Sequence, residues 1–145
     1  MDGGSIPPIS TIAVVARCEF VPSADVVILA VPLDDDTRGM VDRAFLAAMR
    51  DGALLVNVSR GAIVDTEALL AELQAGRLTA ALDVTDPEPL PADHPLWRAP
   101  GLLVTPHLGG DTDAMDARVD AIVLEQVRRI REGAAPAHLV IDASP

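Results

Sequence analysis

Five apolar runs alternate with helical patterns along this chain. The runs are nearly continuous rather than alternating, and they cover residues 11–16, 26–31, 53–58, 79–84 and 102–105. Continuous apolar runs are typical of strands that are covered on both faces, as in parallel sheets. Because parallel strands need crossover connections, we expect helices between them. The pattern therefore predicts an α/β protein with a parallel sheet and helices on both faces.

Three segments carry a helical pattern. We expect Asp42 and Asp65 to cap the first two helices, which end near Gly52 and Gly76. The longest pattern covers residues 112–132 and has a stripe of apolar side chains that needs a partner surface. By contrast, residues 86–101 contain five prolines and no periodicity, which indicates a rigid, ordered loop.

Composition limits the classes of function. A chain of 145 residues, half of them apolar, is long enough for one sizeable core. A net charge of −11 argues against nucleic acid or an anionic membrane surface as a partner. Cys18 is the only cysteine, so no intrachain disulfide forms, which suits the cytoplasm. No apolar run reaches the length of a membrane span.

Polar residues follow the predicted strands. Pro32, Arg60, Asp83 and His107 each lie at or just after the carboxyl end of a run, and Glu88 follows five residues after Asp83. Those strand ends share one edge of a parallel sheet, where ligands bind, so we expect the side chains to converge on one crevice. A guanidinium to hold a carboxylate and an imidazole to move a proton suit a small anionic carbonyl compound.

Each of these residues also has an ordinary structural interpretation. Arg60 fits a surface arginine at a strand end, His107 a histidine that caps a turn, and Glu88 a solvent-exposed loop residue. Asp83 is harder to explain this way, because a buried carboxylate needs partners. We expect His94 and the acidic run at 34–36 to face solvent, and we expect no metal site, because the histidines and carboxylates lack ligand-like spacing.

Residues 24–110 resemble the NAD(P)-binding domain of the D-isomer-specific 2-hydroxyacid dehydrogenases, with a looser continuation through the last helix. Four motifs carry the resemblance: Pro32 followed by Thr37, "NVSRG" at 57–61, "LDV" with "EP" after it, and "PHLGG". The resemblance implies a Rossmann-like fold and an NAD(P)-dependent oxidoreductase that acts on the CH–OH group of a D-2-hydroxy acid. In reverse it would reduce a 2-oxo acid such as glyoxylate or hydroxypyruvate.

The resemblance also implies roles for individual residues. Arg60 would bind the substrate carboxylate and polarise the keto group, His107 would be the acid/base, and Glu88 its carboxylate partner. Asp83 would bind the nicotinamide carboxamide. Four further residues would lie near the NAD or NADP cofactor, namely Pro32, Ser59, Gly109 and Gly110. Related formate dehydrogenases have glutamine at the position of Glu88, so the acid favours hydroxyacid chemistry.

The chain also departs from the family pattern. It has no G-x-G-x-x-G motif and no long preceding segment, so we expect the C-terminal part of a member, incomplete at its N-terminal side. We divide it into an irregular N-terminus (1–10), a partial dinucleotide-binding domain (11–111), and a helix and tail (112–145) that would return to the substrate domain. We expect these 145 residues alone to self-associate, bind cofactor weakly and show no turnover.

Cofactor choice, assembly and activity complete the expectations. Arg17 ends the first apolar run, near where an NAD-specific fold has an acid, and an arginine there favours NADP(H). The resemblance also suggests a homodimer. Two alternatives to an active enzyme stay open: a non-catalytic module that senses nucleotide or assembles with partners, and an inactive truncated remnant. Oxidation of NAD(P)H by a panel of 2-oxo acids separates the enzyme from both.

Overall fold

A computed structural model describes residues 12–14 and 18–137, with side chains from residue 20 onward except that of Asp113. The predictions for residues 1–10 and for Arg17 therefore lie outside the described residues. The chain divides into two compact units, Met1–Leu108 and Gly109–Pro145.

The first unit is built on a five-stranded parallel sheet. The strands are β1 (Ile12–Val14), β2 (Val26–Leu29), β3 (Leu54–Asn57), β4 (Thr79–Leu82) and β5 (Leu102–Val104). They lie in the order β1-β2-β3-β4-β5, with every neighbouring pair parallel. Each strand falls inside one predicted run, which confirms the Rossmann-like parallel sheet. Because all strands point the same way, their carboxyl ends share one edge.

Two of the connections carry α-helices that begin at the predicted caps. Helix α1 (Arg43–Ala48) begins after Asp42, whose Oδ1 accepts a hydrogen bond from the backbone N–H of Phe45 at 2.8 Å. Helix α2 (Thr66–Gln74) begins after Asp65, whose carboxylate caps it in the same way. Both caps are confirmed, since each satisfies an N–H that has no partner inside its helix.

The connections on either side of this central part contain no α-helix among their described residues. Between β1 and β2 lies a 3₁₀ helix (Cys18–Ser23), and between β4 and β5 a shorter one (Pro95–Arg98). The first departs from the expectation of helical crossovers, whereas the second lies in the segment 86–101 that the sequence predicts as an ordered loop. The physical reason is proline: Pro22 lies inside the first, and the five prolines of 86–101 remove backbone donors.

The two faces of the sheet are buried to different degrees within the first unit. One face packs against α1 and α2, and its side chains are fully or nearly fully buried: Val27, Leu29, Leu55, Ala80 and Leu82, together with Phe45, Leu46, Leu69 and Leu73 of the helices. On the other face Ile28, Val56 and Ala81 are half-buried, and Leu103 is exposed. The core of this unit thus lies between the sheet and the two helices.

The second unit contains helix α3 (Asp113–Arg131), which matches the longest predicted helix. Thr112 is its N-cap residue, and Gly133 follows its end with φ +66°, a conformation that suits glycine. The predicted apolar stripe is exposed, with Met115, Val119, Ile122, Val123, Val127 and Ile130, and so is Leu124 beside it. Within the described part of the chain, no helix combines the length and apolar character needed to cross a membrane.

Candidate functional site

His107 and Glu88 meet at the carboxyl edge of the sheet. Nδ1 of His107 lies 2.7 Å from Oε1 of Glu88, and their side chains are 46% and 40% exposed. Because an ionised carboxylate only accepts hydrogen bonds, this contact places the hydrogen of the neutral imidazole on Nδ1. Nε2 is then the nitrogen that can take up or release a proton. The geometry is that of an oriented general acid/base.

The proline-rich loop holds Glu88 in this position through hydrogen bonds along its length. The hydroxyl of Thr66, in the first turn of α2, donates to the Asp86 carbonyl at 2.7 Å. Thr85 donates to the Pro87 carbonyl at 2.9 Å, and the Trp97 indole donates to the Pro91 carbonyl at 2.8 Å. The sequence interpretation of residues 86–101 as an ordered loop agrees with these contacts.

Asp83 is buried directly after β4 and binds the segment that carries His107. Its Oδ1 accepts a hydrogen bond from the backbone N–H of Leu108 at 3.0 Å, and the Thr105 hydroxyl donates to the same oxygen. Its side chain thus satisfies the expectation that a buried carboxylate has partners. A pocket of about 190 Å³ adjoins these residues, lined by Asp83, Thr85, Glu88, Pro89, Leu90, Trp97, Val104, Thr105, Pro106 and His107.

Arg60 follows β3 in a loop that Asn57 organises. The buried Asn57 side chain accepts the N–H of Ser59 at 3.0 Å and donates to the Arg60 carbonyl at 2.9 Å. The Ser59 hydroxyl donates to the Val31 carbonyl, which ties this loop to the end of β2. The Arg60 guanidinium is exposed and donates to the Ser59 carbonyl at 2.7 Å. The loop therefore presents a cation at the carboxyl edge of the sheet.

An open cleft of about 570 Å³ lies beside Arg60, lined by Ala30, Val31, Pro32, Leu33, Val58, Ser59 and Arg60. The segment after Pro32 is a hydrogen-bonded turn. The Thr37 hydroxyl lies 2.7 Å from the Pro32 carbonyl oxygen and 3.0 Å from Asp34 Oδ1, so its hydrogen is shared between two acceptors, and Asp34 Oδ1 also accepts the N–H groups of Asp36 and Thr37. The hydrogen bonds from Thr37 lower the pKa of the Asp34 carboxyl below its ordinary 3.8. Although the acidic run is solvent-exposed, Asp34 therefore has a structural role.

Gly61 joins the Arg60 loop to the loop that follows β4. A Cβ at this position would lie 1.9 Å from the Thr85 carbonyl oxygen and 2.6 Å from the Asp86 nitrogen. Only glycine allows the two backbones to approach this closely. The two loops therefore pack against each other without an intervening side chain.

The predicted site residues fall into two cavities rather than one. Pro32, Ser59 and Arg60 line the open cleft, whereas Asp83, Glu88 and His107 line the smaller pocket. Gly109 and Gly110 are exposed and begin the second compact unit, and a Cβ on Gly110 would meet only open space. Both cavities open at the carboxyl ends of neighbouring strands, so one edge of the sheet contributes all the candidate residues from the first unit.

Three residues have contacts that the sequence interpretation did not assign. Asn57 belongs to the motif at 57–61, and Thr105 is the last residue of an apolar run, but neither is predicted as a site residue. Both are polar residues at the carboxyl end of a strand, and that position is the sequence signal for their contacts. His94, expected in solvent, is half-buried, and its Nδ1 accepts the N–H of Leu96 at 3.2 Å at the start of a 3₁₀ helix. Among the described residues, no three potential ligands are grouped to hold a metal ion.

Comparison with known proteins places the chain in a family. Residues 10–109 match the model for the D-isomer specific 2-hydroxyacid dehydrogenase NAD-binding domain. The chain is 46% identical over 107 residues to (S)-sulfolactate dehydrogenase of Chromohalobacter salexigens. The aligned residues cover 73% of this chain and 35% of that protein. It is 39% identical over 103 residues to glyoxylate reductase/hydroxypyruvate reductase of Mus musculus, covering 66% of this chain and 31% of that protein.

A solved structure agrees with the sequence comparisons. A D-isomer specific 2-hydroxyacid dehydrogenase from Xanthobacter autotrophicus Py2, in complex with NADPH and MES, superposes with a TM-score of 0.73 at 37% identity, covering 86% of this chain and 51% of that one. The chain spans about a third of the length of the curated relatives named above. By sequence and fold, the chain belongs to the D-isomer-specific 2-hydroxyacid dehydrogenase family, and residues 10–109 form part of its NAD-binding domain.

Proposed function

We propose that the protein is a nicotinamide-dependent oxidoreductase that interconverts a D-2-hydroxy acid and a 2-oxo acid. The observation that carries this proposal is the 2.7 Å contact between His107 Nδ1 and Glu88 Oε1 at the carboxyl edge of the sheet. Oxidation of a CH–OH group needs an oriented acid/base, because the hydroxyl proton must leave when the carbon gives up its hydride.

His107 exchanges the proton of the substrate oxygen through Nε2. In the direction of 2-oxo acid reduction it donates a proton to the developing alkoxide, and in the reverse direction it accepts the hydroxyl proton. Glu88 keeps the imidazole in the tautomer that leaves Nε2 for this exchange, and its negative charge stabilises the imidazolium form. The pair therefore works in both directions.

Arg60 holds the substrate carboxylate and polarises the neighbouring keto oxygen. Its guanidinium is exposed beside the open cleft and offers several donors in a planar fork, which matches the two oxygens of a carboxylate. An anionic substrate also needs a local cation, since the chain as a whole carries a charge of −11.

The described residues fit the nicotinamide side of the cofactor. When bound, the nicotinamide ring supplies or accepts the hydride. Pro32 and Ser59 line a cleft at the carboxyl ends of β2 and β3, where parallel sheets bind dinucleotides. Gly109 and Gly110, the first residues of the second unit, are proposed as cofactor contacts on the sequence resemblance alone. Asp83, directly after β4, is the residue that we propose to accept the carboxamide N–H, because an ionised carboxylate is purely a hydrogen-bond acceptor.

The substrate class is narrower than the family as a whole. Glutamate rather than glutamine at position 88 favours hydroxyacid over formate chemistry. Among the relatives named above, one is a glyoxylate reductase/hydroxypyruvate reductase and another an (S)-sulfolactate dehydrogenase. We therefore propose a small anionic 2-oxo acid such as glyoxylate or hydroxypyruvate. Arg17 leads us to propose NADP(H) over NAD(H), and the Xanthobacter autotrophicus structure is a complex with NADPH.

The test uses a protein that joins these 145 residues to the N-terminal segment of the family, because we expect no turnover from the 145 residues alone. Absorbance follows the oxidation of NADPH and NADH with glyoxylate, hydroxypyruvate or pyruvate, and a separate assay follows the reduction of NAD⁺ by formate. We expect turnover with at least one of the 2-oxo acids, none with formate, and higher kcat/KM with NADPH. Product chirality, measured by chromatography, should be D for a chiral product. Binding of cofactor without any turnover would support a nucleotide-sensing module instead, and a clear preference for NADH would reject the role given to Arg17.

We also propose that the protein is a cytoplasmic homodimer. The exposed apolar stripe of α3, which includes Val119, Ile122 and Val127, supports self-association. Light scattering coupled to size exclusion gives the mass directly, and a monomer at all concentrations would reject the dimer.

A further inference from the structure

His107 has an unusual backbone conformation. Its φ is +56°, and it is the only residue other than glycine with a positive φ among those that the structure describes. Side chains with a Cβ rarely adopt this left-handed conformation unless the surroundings hold them in it. The groups that hold His107 therefore deserve a functional interpretation of their own.

Two hydrogen bonds, one on each side of His107 along the chain, share the same acceptor oxygen, Asp83 Oδ1. Asp83 Oδ1 accepts the backbone N–H of Leu108 at 3.0 Å, one residue after the histidine. The same oxygen accepts the hydroxyl of Thr105, two residues before it. The Thr105 N–H in turn bonds to the Leu82 carbonyl at 2.9 Å, which extends the β4–β5 pairing by one step. Thr105 and Leu108 therefore bracket the histidine between two contacts to the same carboxylate.

We propose that Thr105 is a positioning residue for the acid/base. Its hydroxyl fixes the Asp83 carboxylate in the rotamer that receives the Leu108 N–H, and these two hydrogen bonds hold His107 in the left-handed conformation. That conformation brings Nδ1 within 2.7 Å of Glu88 and so determines the tautomer of the ring. The kinetic part of this inference rests on the proposed function, whereas the effect on the histidine ring does not.

Thr105 is well suited to a clean test. Thr105 is exposed and lies outside the core cluster, so a substitution there should not disturb packing. Valine is also β-branched, so it removes the hydroxyl while keeping the shape of the side chain. Serine restores the hydroxyl without the methyl group. Thr79 at the start of β4 is a matched control, because it is also exposed and its hydroxyl makes only a 3.4 Å contact to the Ala53 carbonyl.

The first experiment records ¹⁵N NMR spectra of the histidine rings in the whole protein. The sequence has three histidines, so the His107 signals are assigned by comparison with His107→Ala. We expect His107 to be protonated at Nδ1 in the wild type, and Thr105→Val to mix the two tautomers and speed hydrogen exchange of the Leu108 amide. Thr105→Ser and Thr79→Val should keep the wild-type spectrum. An unchanged tautomer and amide exchange in Thr105→Val would overturn the proposal.

The second experiment measures turnover. We expect Thr105→Val to lower kcat by about 10–100-fold, the size of effect that follows loss of a group that orients a metal-binding histidine, with little change in KM for the 2-oxo acid. Thr105→Ser should restore kcat. Wild-type kcat in Thr105→Val would overturn the kinetic part of the proposal. Because the NMR experiment contains no substrate, absence of dehydrogenase activity would reject the proposed function while the tautomer result still decides the positioning role.

Discussion

Oε1 of Glu88 lies 2.7 Å from Nδ1 of His107, although one residue belongs to the loop before β5 and the other to the loop after it. The two loops meet because β5 adds to the edge of the sheet beside β4 and returns the chain to the same end. The contact defines which ring nitrogen is available for proton transfer, so it gives the first prediction.

His107→Ala should lower kcat by about 10²–10⁴-fold, the usual contribution of a general acid/base, while cofactor binding is kept. Glu88→Gln should keep the fold and also lower kcat, because an amide oxygen carries no charge to stabilise the imidazolium that forms when the substrate hydroxyl gives up its proton. Steady-state kinetics together with cofactor titration measure both effects. Full turnover in His107→Ala would reject the assignment of the acid/base.

Arg60→Ala should mainly weaken substrate binding. Loss of hydrogen bonds to a charged group costs about 1.5–3 kcal/mol, which corresponds to an increase of roughly 10–100-fold in KM for the 2-oxo acid. Arg98→Ala is the matched control, since Arg98 is also exposed but lies on the 3₁₀ helix Pro95–Arg98 and lines neither cavity. Similar KM values for wild type and Arg60→Ala would remove the arginine from the substrate site.

Gly61→Ala should destabilise the first unit. The added Cβ would lie 1.9 Å from the Thr85 carbonyl oxygen, so one of the two loops must move. Overpacking of this kind typically costs about 1–3 kcal/mol in the free energy of unfolding. Gly110→Ala is the control, because its Cβ would meet no atom within 4 Å. Urea denaturation of both variants measures the difference, and equal midpoints would contradict the close approach.

Arg77 should contribute more to stability than Arg50. The Arg77 guanidinium donates to the carbonyls of Leu46 and Met49 at the end of α1 and pairs with Glu72 at 2.6 Å, while its side chain is only 22% exposed. Arg77→Ala therefore removes bonds to charged and backbone groups worth about 1.5–3 kcal/mol. Arg50 pairs with Asp25 at the surface, so Arg50→Ala should cost about 1 kcal/mol or less.

Thermal and urea unfolding of the two arginine variants tests the comparison. A larger loss of stability in Arg50→Ala than in Arg77→Ala would show that the end of α1 does not depend on the guanidinium. Glu72→Gln provides a further check, since it removes the nearer of the two carboxylates that pair with Arg77, leaving Asp51 at 3.5 Å and the carbonyl contacts in place.

The turn after Pro32 should loosen in acid. Hydrogen bonds from Thr37 lower the pKa of Asp34 below 3.8 in the folded chain, so they stabilise the turn above the unfolded value and are lost as pH falls through the folded pKa. NMR titration of the Asp34 carboxyl should give a midpoint below 3.8 in the wild type and a higher one in Thr37→Val. Thr37→Ser should keep the low midpoint, and identical midpoints in wild type and Thr37→Val would exclude this hydroxyl as the cause.

The sequence predicts the sheet well because a buried strand appears as one continuous apolar run. Each continuous apolar run becomes a strand, and Asp42 and Asp65 cap their helices as their positions predict. The placement of Arg60, Asp83 and His107 at one edge follows from parallel strands alone. Glu88 is predicted near the site because it follows Asp83 by five residues. The structure shows its side chain in contact with His107.

Other features depend on contacts that no local pattern encodes. The link between Thr105 and Asp83 joins residues 22 positions apart, and the close approach at Gly61 joins the loops that follow β3 and β4. The short 3₁₀ connections likewise reflect prolines that prevent an α-helix, whereas the rule that parallel strands are joined by helices describes the usual case. These are tertiary effects, which override sequence propensity.

The sheet order of β1 to β5 repeats their order along the chain. Every described side chain of the acid/base region and of the Arg60 loop therefore comes from one uninterrupted stretch, residues 57–108, whose internal contacts include those from Asn57 to Arg60, Asp83 to Leu108 and Glu88 to His107. Such a stretch can be exchanged between homologous genes at two crossover points while these side-chain contacts stay within it, because the Arg60 loop reaches residues before it through backbone carbonyls, those of Leu29 and Val31. Recombination libraries built at those points should keep the proton-transfer apparatus intact while the surrounding specificity varies.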